Sequence, residues 1–182
     1  MSTFIDNIRE KAAIYKLKKY LKKAPRTKHL HNFKTAQTAG ILFDATDAKN
    51  QQEVKNLIRE LKEKGINTQA LGFINKSKRD DDYIGDSTFT YTCRSDFSFF
   101  YAIKKEAIED FVQKPFHLLI VLVQEQPFAI DYLGQLSRAE FKVGKAGLDN
   151  DLYDLMIELD SSKGIAELKK QIVHYLNLLN NN

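Results

Sequence analysis

Two aspartates, Asp44 and Asp47, stand three residues apart in the stretch FDATD, directly after a short apolar run. At the carboxyl edge of a sheet, where open α/β folds place their ligands, such a pair has the chemistry to hold Mg²⁺ or a sugar hydroxyl. The spacing is not the DxDxT of phosphotransferases that use an aspartate nucleophile, and aspartates after a strand also serve as turn and helix N-caps. A second acidic group, Asp80, Asp81 and Asp82, lies beside Lys76, Lys78 and Arg79. Acids adjacent in sequence rarely converge on one ion, so a solvated turn is expected there rather than a metal site.

His29 and His31 form an HxH pair in TKHLHNF, with no cysteine or acid near them in sequence. Imidazoles that meet water, or phosphate beside their lysines, are expected over metal ligation. Cys93 is the single cysteine, and it is followed by Arg94. A thiolate nucleophile needs a base, and the four histidines, His29, His31, His117 and His174, are spread over linker, strand and helix, so a structural cysteine is the expectation. No cofactor is expected: no GxGxxG or GxxxxGK follows any strand, Gly40 falls inside one, and residues 144–147 read GKAG. The run DFSFFY, residues 96–101, has rings that would stack a base if exposed; in a chain without tryptophan they are expected inside.

The lysines form the densest group. Residues 1–34 hold ten Lys and Arg against Asp6 and Glu10, a charge of +8, which leaves −4 for the rest of a chain whose net charge is +4. This split points to a mildly acidic body with a cationic arm that meets an anionic surface. Lys16, Lys18, Lys19, Lys22, Lys23, Arg26 and Lys28 are the candidate phosphate contacts, with Tyr15 and Tyr20 interleaved to stack or to pack.

The elements that carry these residues follow from periodicity. Residues 4–23 read as a basic amphipathic helix, capped by Ser2 or Thr3, with Ile5, Ile8, Ala12 and Tyr15, then Ile14, Leu17 and Leu21, on its apolar face. Pro25 ends it, because the residue before proline is pushed out of the helical region, and a basic linker follows. The body is expected to begin near Thr38, which divides the chain into an arm, residues 1–37, and a domain, residues 38–182. TAGILFDA reads as a strand, residues 51–65 as a helix stopped by Gly65, and TQALGFIN as a second strand, a parallel strand-helix-strand unit. FTYTC is a strand, KKEAIEDFVQK a helix, and HLLIVLV the best central strand, apolar on both faces. A helix over FAIDYLGQLSRA, strands over FKV and YDLMIEL, and a final amphipathic helix complete the pattern.

Two resemblances add to this. HLLIVLVQEQPFAIDYLGQLSRAEFKVG, residues 117–144, resembles a segment in the N-terminal half of the heptosyltransferase-type glycosyltransferases, where an apolar strand is followed by a helix and a short strand ending in glycine. Those enzymes have two Rossmann-like halves and this chain has length for one, so the resemblance implies the local fold and no catalytic residue. TAGILFDATD, DFSFF, KPFHLLIVL, DYLGQLSRAEFKVG and YDLMIEL together resemble an uncharacterised Bacteroidetes family of small cytoplasmic proteins with a basic segment ahead of an α/β body. That resemblance implies architecture and no activity.

The 182 residues suffice for one domain with a core of its own, and 43% hydrophobic with 29% charged residues excludes a disordered or fibrous class. The longest apolar run, Leu118–Val123, is far short of the roughly 20 residues needed to cross a bilayer. With one cysteine and no leader of the secretory kind, a cytoplasmic location is expected. The expected fold is a three-layer α/β domain, Rossmann-like or flavodoxin-like, with a mainly parallel sheet of five or six strands behind a basic helix. The expected function is a noncatalytic binding module whose arm engages RNA or a ribonucleoprotein such as the ribosome, ahead of an anionic membrane surface. The alternative is a small Rossmann-like enzyme or ligand-binding domain, with Asp44, Asp47 and the loop after Val123 lining a crevice for a phosphorylated or sugar-like molecule.

Overall fold

The structure, a computed structural model, describes residues 2–78, 83–125, 127–147, 152–160 and 162–179. The chain runs α1 (Ser2–Lys23), β1 (Thr38–Asp44), α2 (Ala48–Glu63), β2 (Asn67–Ile74), β3 (Phe89–Cys93), α3 (Glu106–Gln113), β4 (Leu118–Leu122), α4 (Phe128–Leu136), β5 (Phe141–Lys145), β6 (Leu155–Ile157) and α5 (Ile165–Leu178). The six strands form one sheet in the order β3-β2-β1-β4-β5-β6, and every neighbouring pair is parallel. This is the strand order of a Rossmann-like three-layer fold, with the reversal of direction along the sheet between β1 and β4.

Parallel strands in the middle of such a sheet are covered on both faces and need apolar residues at every position. β4, LLIVL, is buried throughout, and β1 is buried from Ala39 to Phe43. One layer of core takes Ile41, Phe43, Ile120 and Leu122 from the sheet, with Val54, Leu57 and Leu61 of α2 and Leu168, Ile172 and Leu176 of α5. The opposite layer takes Leu42, Leu71, Leu119 and Val121, with Ile108 and Phe111 of α3 and Ile130 and Leu133 of α4. α2 starts on Asp47 and stops at Gly65, whose φ of 78° no β-branched residue would tolerate. Gly144, at the close of residues 117–144, makes room for a ring: a Cβ there would lie 2.2 Å from Cε1 of Tyr153. That glycine therefore seats core packing.

The second core layer continues into α1. Ala13 and Leu17 are buried in it, Leu21 lies half-buried beside them, and α1 packs on α4. This seam keeps Leu17 and Leu21 of the expected apolar face and leaves out its N-terminal part. Ile5, Ile8 and Tyr15 face outward, at 48%, 49% and 71% exposure. Two apolar stripes run along this helix, and the sheet-side layer accepts the stripe whose small Ala13 lets the two helices approach closely. Among the described residues, no helix is long and apolar enough to cross a membrane.

Candidate functional site

α1 runs from the carboxyl edge of the sheet to its amino edge, and side chains fix it at both ends. Near the carboxyl edge, Arg9 donates through Nε to the carbonyl of Phe99 at 2.8 Å and pairs with Asp6 at 3.1 Å. Near the amino edge, Tyr20 and Gln113 share a hydrogen bond, and Arg138 donates to the carbonyl of Ala24. The linker after it is strapped across the amino edge. Arg26 forms two bonds to the Asp154 carboxylate, at 2.6 and 2.7 Å, and a third to the carbonyl of Glu140 at 2.8 Å. His31 meets Glu140 at 2.6 Å, and Asn32 donates to the carbonyl of Leu179 at 2.7 Å.

These bonds sort the seven candidate phosphate contacts. Lys16, Lys18, Lys19, Lys22 and Lys23 are exposed along α1. Arg26 is half-buried and committed to Asp154, and Lys28 joins the same carboxylate at 3.3 Å while its side chain stays 66% exposed. Burial pushes the Asp154 carboxyl up, but the Arg26 hydrogen bonds and the Lys142 amide outweigh it and hold the pKa below the ordinary carboxylate range. His31 has the acidic partner that its sequence neighbourhood lacks, supplied by a residue 109 positions away. The HxH pair does not converge: the His31 ring stands edge-on to that of His117 at 4.8 Å, and His117 bonds Thr38 at 2.8 Å.

The run DFSFFY divides. Phe97 is buried, as expected, but Phe99 and Phe100 are 54% and 42% exposed. The cause is a tight turn: Tyr101 donates its amide to the carbonyl of Ser98 at 3.0 Å, and Phe97 bridges to Ile103 in antiparallel fashion, so residues 99 and 100 sit at the tip. The buried Asp96 carboxylate, bonded to the amide of Cys93 at 3.1 Å and to Lys105 at 2.5 Å, holds the base of this segment. The tip leans on α1. The Arg9 guanidinium lies 4.9 Å from the Phe99 ring centroid, and the Lys16 ammonium lies 5.0 Å from that of Phe100. Lys16 and the exposed Phe100 ring thus meet, which sequence distance of about eighty residues had concealed.

At the carboxyl edge, Asp44 holds a turn and Asp47 caps α2. Asp44 accepts from the amide of Thr46 at 2.9 Å, and Asp47 accepts from the amide of Lys49 at 2.8 Å at the start of α2. A cleft of about 260 Å³ opens on the α1 side of the same edge, and neither aspartate lines it. Its charged residues are Arg9, Glu10, Arg94 and Glu125, and its apolar wall is Phe73, Phe97 and Phe128. The expected loop after Val123 therefore does border a crevice, through Glu125 and Pro127. Cys93 is buried, and its sulfur lies 3.2 Å from the Ser95 hydroxyl and 3.8 Å from an Asp96 carboxylate oxygen. Asp80, Asp81 and Asp82 lie outside the described residues; among those described, no three His, Cys, Asp or Glu gather as a metal site.

A search of curated proteins and of solved structures found no match to this chain. A protein-family comparison does place it: the profile of a family of unknown function covers residues 9–179, from the Arg9 anchor of α1 through every strand of the sheet to the end of α5. The chain belongs to that family of unknown function, DUF6913.

Proposed function

We propose that this protein is a noncatalytic RNA-binding module that holds a single-stranded stretch along the lysine face of α1, with bases stacked on Phe99, Phe100 and Tyr15. The observation that carries this reading is the exposure of Lys16, Lys18, Lys19, Lys22, Lys23 and Tyr15 along α1, with the exposed Phe100 ring beside Lys16. A cationic track beside aromatic platforms is the combination that binds single strands without reading sequence, because phosphates supply charge and every base has a face to stack. Fixing α1 to the body also removes the ordering cost that a disordered arm would carry on binding. The turn and cap roles of Asp44 and Asp47 support the noncatalytic part of the reading.

Fluorescence anisotropy with labelled oligouridine over a salt series tests it. Affinity is expected to fall steeply with salt, and replacing the five lysines with Gln is expected to flatten the log-log slope by roughly 3 to 4, at about 0.7 per phosphate contact on a single strand. Phe99→Ala with Phe100→Ala is expected to leave the slope unchanged and to weaken binding by about 1 to 3 kcal/mol for each base that loses its platform. Phosphatidylserine vesicles serve as the contrasting surface. Retention on vesicles without oligouridine binding, with loss of retention in Ile5→Ser, Ile8→Ser, would replace RNA by a membrane surface.

A further inference from the structure

We propose that the cleft at the carboxyl edge of the sheet binds a small zwitterion, a molecule with an ammonium and a carboxylate on one apolar body, of the class of the apolar α-amino acids. This site is separate from the lysine face, and its ligand does not depend on the RNA reading. Its volume, about 260 Å³, lies just under the range of roughly 300 to 1,000 Å³ usual for ligand pockets, which suits a small metabolite and excludes a dinucleotide.

The lining decides the charge of the ligand. Two cations, Arg9 and Arg94, and two anions, Glu10 and Glu125, border the cleft. Arg9 is already answered by Asp6 and by the carbonyl of Phe99, whereas among the described residues the Arg94 guanidinium donates to the neutral amide oxygen of Asn75, at 3.1 Å. Glu10 is partly buried and accepts no hydrogen bond from the described residues. Burial, then the nearby Asp6, pushes its carboxyl up, and the fields of Arg9 and Arg94 oppose that only in part. A partly desolvated carboxylate without a donor is costly, and a bound ammonium would relieve it. A ligand with one charge alone would meet a like charge in this lining; a molecule carrying both meets complements, with its carboxylate toward Arg94 and the uncapped first turn of α4.

The apolar wall is built in advance. Tyr101 has a φ of 59°, the one positive value outside glycine among the described residues, an unfavourable conformation for a bulky side chain. Its ring is held against Phe128, with centroids 4.5 Å apart, and leans toward Tyr132 at 5.9 Å. Strained backbone that persists under such packing is a feature of ligand clamps, and here it presents a ring to the cleft beside Phe97 and Phe128.

Isothermal titration of the full chain with L-phenylalanine, 3-phenylpropionate and 2-phenylethylamine tests the proposal, because the three share one ring and differ in charge. L-Phenylalanine is expected to bind at least about tenfold more tightly than either analogue. Arg94→Gln is expected to lose at least about tenfold for L-phenylalanine while retaining 2-phenylethylamine, and Glu10→Gln to lose as much while retaining 3-phenylpropionate. Both positions are solvent-accessible, and circular dichroism melts of the variants check that the fold is kept. The variant with five lysines changed to Gln is expected to bind L-phenylalanine as the parent does; loss there would put the binding on the lysine face and overturn the assignment. A single-charge analogue that binds as tightly as L-phenylalanine, or no binding of L-phenylalanine at about 10 mM, also overturns it.

Discussion

Lys142 is the one fully buried lysine in the described core, and it shows how a charged side chain is accommodated there. Its ammonium reaches the end of α4 and donates to the carbonyl of Gly134 at 2.7 Å, so a helix terminus with exposed acceptors receives the donor. Burial, with Arg26 adding to it and Asp154 opposing, lowers its pKa from 10.5 to about 7. The unfolded chain keeps this proton to about pH 10 and the folded chain gives it up near 7, so between those values the unfolded state binds more protons. Stability therefore rises with pH across that window by up to about 1.4 kcal/mol per unit, and the gain is lost as pH falls through 7. Urea unfolding at pH 7, 8 and 9 is expected to show that rise in the parent and a flatter profile in Lys142→Met. Equal profiles would mean that the lysine is solvated in the native state.

At the scale of elements, α1 is a packing element as well as a charged one. The choice between its two apolar stripes is open to measurement, because each stripe predicts a different sensitive residue. Leu17 is 2% exposed, so Leu17→Ala is expected to cost about 2 to 4 kcal/mol in urea unfolding through lost burial and a cavity. Ile8, at 49% exposure, is expected to change stability by no more than about 0.5 kcal/mol when replaced by Ala. The reverse ranking would place the seam on Ile5 and Ile8 instead. The two roles of the helix are compatible because its lysines point away from the seam, which lets the five-lysine variant test binding without disturbing the core.

For the whole molecule, the sheet order sets where stability and function lie. β1 and β4 are central and buried on both faces, while β6 has three residues at an edge and exposes Met156. Hydrogen exchange is expected to be slowest in β1 and β4, which open only with global unfolding, and fastest among the strands in β6, which opens locally. Equal protection across the sheet would contradict this order. The two proposed sites follow the same geometry: α1 lies lengthwise on one layer, so its first turns border the carboxyl-edge cleft while its last turns carry lysines toward the amino edge.

The sequence alone determined the α/β class, every strand of the sheet and the parallel pairing of β1 with β2, because those depend on local periodicity and on apolar runs that only a twice-covered strand tolerates. It also marked Asp44 and Asp47 as residues at the carboxyl edge. Tertiary structure decided the rest, since each remaining question turns on partners far apart in the chain. Arg26 reads as one more basic residue until Asp154 comes beside it, and His31 lacks an acid until Glu140 is placed against it. Phe97, Phe99 and Phe100 are one apolar run in sequence, yet a tight turn buries the first and presents the other two next to α1. The cleft joins side chains from α1, β2, the segment after β3, and α4. Charge and periodicity are properties of neighbours along the chain, whereas burial, ion pairing and a cavity belong to neighbours in space, and only folding brings those together.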